Sequence, residues 1–365
     1  MLYHIIYERF VEQFGVLNVL KYITIRSAGA AVTAMLLSMI FGPYLIRWLY
    51  RLKVGQEIRK DECPPLHLIH KNKQGTPTIG GLLIISSVVI TTLLWSRLDN
   101  LYVWLVLGVF VSLGILGFVD DYLKVKNKRS LGLRARSKLL VQTLIAITVA
   151  IILLTHETEF PLYVPFYKNP LIVNLGYWFI LLSILVIVGT SNAVNLTDGL
   201  DGLAIGSVTI CALAYTALAY VTGHAILSKD YLFLFYTPNA AELTIFCSAL
   251  VGAGLGFLWF NAHPAMVFMG DTGSLALGGA IGCVALLIRK EVLLLIIGGV
   301  FVMEATSVIL QVASFRLRKG KRLFRMAPIH HHFEMRGWPE TRVTIRLWIV
   351  ALICALAGLA TIKLQ

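Results

Sequence analysis

The sequence predicts an all-α, polytopic integral membrane protein with about ten transmembrane helices. Three observations carry that prediction. Of the 365 residues, 58% are hydrophobic and only 14% charged, whereas soluble chains are about 45–50% apolar and roughly a quarter charged. Apolar runs recur along the chain near the length of roughly 20 residues that a spanning helix needs. The basic residues crowd into particular loops, as the positive-inside rule describes for membrane proteins. This composition excludes a disordered chain, a soluble globular enzyme and a nucleic-acid binder. The formal net charge of +13 therefore belongs to membrane topology, with membrane lipid as the implied environment.

Residues 1–21 place Ile6, Phe10, Phe14 and Leu17 at helical spacing between Glu8, Arg9 and Glu12, which predicts an interfacial helix lying on the bilayer. Ten spans are expected at about 23–46, 79–96, 101–119, 139–154, 171–190, 203–221, 242–260, 273–288, 292–314 and 344–363. The first run is too long, and its small residues come too early, for a cleaved signal peptide. Ten crossings put both termini on one side. Loops 47–78, 120–138 and 315–343 hold 7, 7 and 8 Lys+Arg, which is 22 of the 32. That side is expected to be cytoplasmic and both termini extracytoplasmic. The longest loops run to about 30 residues, so the whole of 1–365 is expected to be one membrane domain. Cys63, Cys211, Cys247, Cys283 and Cys354 lack CxxC spacing and read as small core residues.

Of the eight aspartates, Asp120, Asp121, Asp198, Asp201 and Asp271 all fall where a span meets a cytoplasmic loop. Each alone could cap a helix or sit in water. Five at one membrane depth are harder to dismiss, because charge at the bilayer edge is costly unless solvated, paired or metal-bound. Asp120-Asp121 closes an apolar span and runs into Lys124, Lys126, Lys128, Arg129, Arg134, Arg136 and Lys138. Carboxylates beside a cationic loop suit a hard cation plus phosphates. Adjacent helical side chains diverge by about 100°, so one aspartate can face a metal while the other meets a second ligand or a lysine.

In SNAVNLTDGLDGLA (191–204), Asn192, Asn195, Asp198 and Asp201 recur every third residue, which on a helical stretch lines one face. Two amides and two carboxylates suit a sugar, a base edge or a hydrated cation. Residues 259–275 put Asn261 and His263 on an uncharged loop, and Gly270-Asp271-Thr272-Gly273-Ser274 then opens a span. A helix N-terminus attracts phosphate, and an aspartate there can instead bind Mg²⁺. Phe268 is placed either to stack on a nucleobase or to pack at the membrane edge. Three successive histidines, His330, His331 and His332, cannot all face one point, which argues against a three-histidine zinc site. Imidazoles donating to a diphosphate fit better, the bland reading being a polar loop patch. Lys71 and Lys73 precede a Gly/Thr-rich turn, another setting that suits phosphate. Glu304, mid-span, reads as a hydrogen-bonded structural residue, and Lys290 is expected on the outer face, where Lys290→Gln should do little.

GTPTIGG (75–81), GFVDDYLK (117–124), SNAVNLTDGLDGLA (191–204), GLGFLWFNAHPAMVFMGDTGSLALGG (254–279) and APIHHHFE (327–334) together resemble the polyprenyl-phosphate N-acetylhexosamine-1-phosphate transferase family of bacterial cell-wall synthesis. APIHHHFE and GTPTIGG point to its muramoyl-pentapeptide branch. Ile79, where Met is commoner, and His263, where an aromatic is frequent, depart from the pattern, and neither is expected to touch the chemistry.

The resemblance implies a multi-pass protein of the bacterial inner membrane with a cytoplasmic active-site cleft, commonly a homodimer. It implies Mg²⁺-dependent transfer from UDP-N-acetylmuramoyl-pentapeptide to undecaprenyl phosphate, giving lipid I and UMP. It also implies Asp271 as a direct Mg²⁺ ligand, with Asp120 and Asp121 completing or orienting the metal and lipid-phosphate site. His330, His331 and His332, with Lys73, Lys124 and Lys138, would hold the diphosphate and lipid phosphate, and Thr78 lies in the same substrate-binding group. Asn195, Asp198, Asp201, Asn261 and Phe268 would form the uridine and nucleotide pocket. The nearest rival is the sister class that transfers N-acetylglucosamine-1-phosphate to the same lipid. A secondary transporter would gather its acids near the midplane, where Glu304 is almost the only candidate. A scaffold leaves the meeting of acidic and polybasic loops unexplained.

Overall fold

The structure, a computed structural model, describes residues 1–52, 75–127 and 132–364. The described residues include an isolated antiparallel bridge between Leu162 and Ile172 and no extended sheet. The helices are α1 (Ile23–Arg51), α2 (Gly81–Trp95), α3 (Leu101–Asn127), α4 (Ala135–His156), α5 (Trp178–Thr197), α6 (Leu203–Thr222), α7 (Leu243–Asn261), α8 (Gly270–Leu287), α9 (Gly299–Leu317), the short α10 (Ile329–Glu334) and α11 (Glu340–Ala360). Nine of the segments described are long and apolar enough to cross a membrane, α7 being counted with its lead-in from Pro238. The tenth expected span is α2, with 15 residues, about 22 Å at the helical rise. The chain is an all-α polytopic membrane protein.

Burial sorts the helices into an axis and a lipid-facing rim. In α8 every residue from Thr272 to Leu287 is buried, and 89% of its apolar window is buried, against 28% in α1, α4 and α9. The α8 sequence GDTGSLALGGAIGC supplies the small residues that let helix backbones approach in lipid. Helices α3 and α5 pack on α8, α1 and α6 pack on α7, and α11 packs on α6. The rim helices show lipid-sized side chains outward, such as Leu36, Ile40, Leu144, Ile309 and Ile353.

Several expectations need correction. Residues 1–21 do not form one interfacial helix: a π-turn spans Tyr3–Tyr7, a helical turn Glu8–Phe10 and a 3-10 stretch Gly15–Lys21. Phe14 is extended just before Gly15, a poor helix residue, and the chain breaks there. The N-terminal ammonium donates to the Leu93 and Leu94 carbonyls, which ties this segment to the end of α2. The span expected at 171 begins only at Trp178, since Asn174 accepts from the amides of Phe160 and Gly176 and holds a turn there. The span expected over 292–314 is split, with a short turn Leu294–Ile297 before Gly298.

Lys290, expected on the outer face, is buried. It is 2% exposed, with its ammonium 5.0 Å from the centroid of the Tyr163 ring and its carbonyl accepting from Tyr215 Oη. Beside it Arg289 is buried and paired with Glu157. The same end of the bundle holds Arg26, whose guanidinium donates twice to Glu242 at 2.8 and 2.7 Å. Hydropathy could not show this, because short charged loops read as wet whether or not neighbouring helices cover them.

Glu291 in this cluster is buried, and neither carboxylate oxygen has a hydrogen-bond partner. Burial pushes its carboxyl up to about 7, with its own backbone amide and then the charges of Arg289 and Lys290 opposing. A carboxyl whose folded value lies above its unfolded one binds more protons in the native state between the two, so stability falls as pH rises through that window. The melting temperature of the purified protein should therefore fall between about pH 4.5 and 7. Glu291→Gln should flatten that slope in a thermal melt; an unchanged slope would assign the dependence to other groups.

Candidate active site

The site forms where the ends of α3, α5 and α8 and the start of α2 meet. Asp120 and Asp121 lie at the last turns of α3, and Gly270 and Asp271 open α8. Gly117, one turn before Asp120, makes this meeting possible: a Cβ there would lie 2.1 Å from the Asp271 carbonyl oxygen. Gly270 has φ +72, and a side chain on it would strike Asp121 Oδ2 at 2.5 Å and Thr78 Oγ1 at 2.9 Å. The segment GTPTIGG is stitched to the start of α8 by backbone hydrogen bonds, Phe268 N to Pro77 O, Gly80 N to Phe268 O and Gly81 N to Met269 O. That stitching brings Thr78 beside Asp121.

Three carboxylates converge here: Asp120, Asp121 and Asp271 each offer an oxygen within 4.8 Å of the others. Two ammonium groups lie among them. Lys124 Nζ is 2.7 Å from Asp120 Oδ2, 3.1 Å from Asp271 Oδ2 and 3.4 Å from Asp121 Oδ1. Lys138 Nζ is 2.6 Å from Asp271 Oδ2 and 2.9 Å from Asp120 Oδ2. The remaining oxygens are held by neutral donors. Asp120 Oδ1 accepts from Leu133 N at 2.6 Å, and Asp121 Oδ2 from Thr272 N and Oγ1 at 2.9 and 2.8 Å. Asp271 Oδ1 accepts from Asn195 Nδ2 at 2.8 Å. An all-oxygen, carboxylate-rich donor set of this kind fits a hard divalent cation, and α8 adds the positive end of its dipole. Asp120 and Asp121 converge despite being adjacent in sequence.

Asn195 thus stands with the carboxylates. Asp198 lies alongside, accepting from the Gly270 amide; burial and then the charges of Asp271, Asp121 and Asp201 push its carboxyl up to about 8. The expected single face of Asn192, Asn195, Asp198 and Asp201 is not formed. Helix α5 ends at Thr197, Asp198 has ψ 56, and the chain turns through Gly202 at φ +74 before α6. Asn192 therefore faces Gln142, and Asp201 faces a separate group. There Asp201 Oδ2 meets His263 Nδ1 at 3.0 Å and the Ala265 amide at 3.1 Å, while Glu340 Oε1 accepts from the Asp201 amide at 2.7 Å. His263 therefore touches Asp201, one of the residues expected in the nucleotide pocket.

Asn261 spends its amide on backbone, accepting from Gly202 N and donating to Val267 O. Phe268 is half-buried on the loop before α8. The three histidines part as expected. His330 is fully buried, with Nδ1 3.1 Å from Glu304 Oε2 and its ring against Gly199. His331 Nδ1 is 2.7 Å from Glu334 Oε2, and His332 Nδ1 accepts from the Arg325 amide. Glu304 is the hydrogen-bonded residue expected of it. Lys73 and Cys63 lie outside the described residues.

Sequence reasoning named Thr272 and Ser274 only as part of the segment that opens α8, and it missed Gln142 and Glu340. Glu340 carried a signal, since an acid just after Pro339 marks a helix start at the same membrane edge.

Residues 103–289 match the family described as glycosyl transferase family 4. Proteins named phospho-N-acetylmuramoyl-pentapeptide-transferase match end to end. One from Desulfatibacillum aliphaticivorans is 51% identical over 368 residues, covering 100% of both chains. One from Solidesulfovibrio magneticus is 50% identical over 366 residues, and one from Desulfotalea psychrophila 51% over 366, again covering both chains fully. The chain belongs to the phospho-N-acetylmuramoyl-pentapeptide-transferase family. It is a phosphoglycosyl transferase of peptidoglycan synthesis and a multi-pass protein of the bacterial inner membrane.

Membership makes the α3–α8 contact testable. Gly117→Ala must push the Asp271 backbone away from Asp120 and Asp121, and a displacement near 1 Å can cost about 10² in rate. Transferase activity of Gly117→Ala, measured at equal membrane content, should fall by about that factor; near-normal activity would show that the contact can relax without disturbing the carboxylates.

Proposed function

We propose that the protein transfers phospho-N-acetylmuramoyl-pentapeptide from its UDP-linked precursor to undecaprenyl phosphate, with Mg²⁺, giving lipid I and UMP. The observation that carries this reading is the gathering of Asp120, Asp121 and Asp271 around Lys124 and Lys138. The relatives' printed name supports the transferred group. The three carboxylates would hold Mg²⁺, with Asp271 as a direct ligand, and the bound ion would supply charge neutralisation to the diphosphate. A lipid phosphate oxygen forms a new bond to the sugar-linked phosphorus of the precursor. The P–O–P linkage to uridine monophosphate breaks, and UMP leaves with the electron pair.

Phosphoryl transfer needs positioning and charge stabilisation more than covalent chemistry. Lys124 and Lys138, 32% and 20% exposed on their side chains, are placed to meet incoming phosphate oxygens. Lys73, Thr78 and the imidazoles of His330, His331 and His332 would complete phosphate binding, His330 after release from its buried setting. A lipid phosphate is largely dianionic at neutral pH, with a second pKa of about 6, so Asp120 need not act as a general base. Asp198, Asp201, Asn261 and Phe268 would line the nucleotide side, with Asn195 orienting Asp271. By the positive-inside rule this face would be cytoplasmic and both termini outside, and the family resemblance implies a homodimer.

Asp271→Asn should cut UMP release by about two to three orders of magnitude at saturating Mg²⁺ while leaving the gel-filtration profile unchanged. Activity close to wild type would remove Asp271 from the metal site. Phe268→Ala should raise KM for the UDP-sugar about tenfold and leave KM for the lipid phosphate unchanged; equal nucleotide affinity would make Phe268 a packing residue.

A further inference from the structure

The geometry points to His263 as a positioning residue that sets the Asp201 carboxylate for nucleotide binding, an inference that rests on the reading of Asp201 given above. The Asp201 side chain is 2% exposed and the His263 side chain 41%. A buried carboxylate needs donors, and Asp201 Oδ2 receives two: the Ala265 amide at 3.1 Å and His263 Nδ1 at 3.0 Å. The other acceptor near that ring nitrogen is Glu340 Oε2 at 3.6 Å. Two carboxylate oxygens face Nδ1, so Nδ1 carries the hydrogen and donates.

Two donors on one oxygen fix the torsion of the carboxylate. The backbone on either side is fixed independently. Glu340 Oε1 accepts from the Asp201 amide, and Asn261 Oδ1 accepts from the Gly202 amide. Thr344 Oγ1 and Trp348 Nε1 donate to the Asp201 and Gly202 carbonyls. The turn is therefore held without His263, and what His263 adds is the direction of one side chain. A phenyl ring at this position would have no donor for Asp201 Oδ2.

The test uses purified full-length enzyme with Mg²⁺, UDP-N-acetylmuramoyl-pentapeptide and undecaprenyl phosphate. His263→Phe keeps the ring and removes the donor. His263→Asn returns an N–H near the place of Nδ1. Asp201→Asn runs alongside. In His263→Phe, KM for the UDP-sugar should rise about five- to tenfold, with kcat and KM for the lipid phosphate unchanged, and His263→Asn should restore the nucleotide KM. A normal nucleotide KM in His263→Phe, with Asp201→Asn impaired, overturns the inference and leaves the reading of Asp201 standing. A normal KM in Asp201→Asn overturns that reading and the inference with it. A parallel change in kcat and both KM values in His263→Phe, with a lowered melting temperature, overturns the inference in favour of a role in folding.

Discussion

Bringing like charges together at the edge of a membrane is the constraint on which this fold depends. Three carboxylates within 4.8 Å of each other repel strongly where water is scarce, and bulk solvent cannot screen them as it does at a surface. They are tolerated because α3 and α4 bring two ammonium groups, Lys124 and Lys138, into the same volume. Backbone and side-chain donors, Leu133 N, Thr272 N and Asn195 Nδ2, satisfy the oxygens the lysines leave. Each of these partners comes from a different stretch of chain, so the cluster exists only when the bundle is assembled.

That requirement explains the composition of α8. An axis that must touch α3 and α5 closely along its length has little room for side chains, and its sequence is built from Gly, Ala, Ser and Thr between a few larger residues. A close approach at Gly117 against the Asp271 carbonyl brings the two acidic helix ends together. The rim helices face no such demand and carry ordinary lipid-facing Leu and Ile.

Much of this was legible in the sequence, and the remainder fails for physical reasons. Span number and approximate position follow from hydropathy, since any helix in lipid must be apolar for about 20 residues. The gathering of Asp120, Asp121 and Asp271 was legible because charges at one membrane depth have few places to go. The fate of Asp201 was not. A three-residue spacing means one face only while the helix lasts, and α5 ends at Thr197 because Gly199 and Gly202 favour a turn. His263 and Glu340 were hidden because their meeting depends on α11 packing beside the α5–α6 turn, a contact across 77 residues that no local pattern encodes. The burial of Lys290 was not legible, because charge in a short loop signals an end of a span and says nothing about what covers it.

The two ends of the bundle treat charge differently, and the difference bears on function. At the end away from the site, ions are paired closely: Arg26 with Glu242 on two hydrogen bonds and Arg289 with Glu157. Breaking such a pair strands a buried charge, which is strongly destabilising; those contacts are suited to holding helices together. At the site the pairing is shared. Lys124 reaches three carboxylates and Lys138 two, and both ammonium groups keep more exposure than the acids they touch. A shared arrangement can be exchanged in steps. Under the proposed reading, the three carboxylates would hold the cation, and Lys124 and Lys138 would be left to meet phosphate oxygens, so no buried charge need stand alone. The same side chains that let three acids coexist in the folded protein would thereby be available to the substrate.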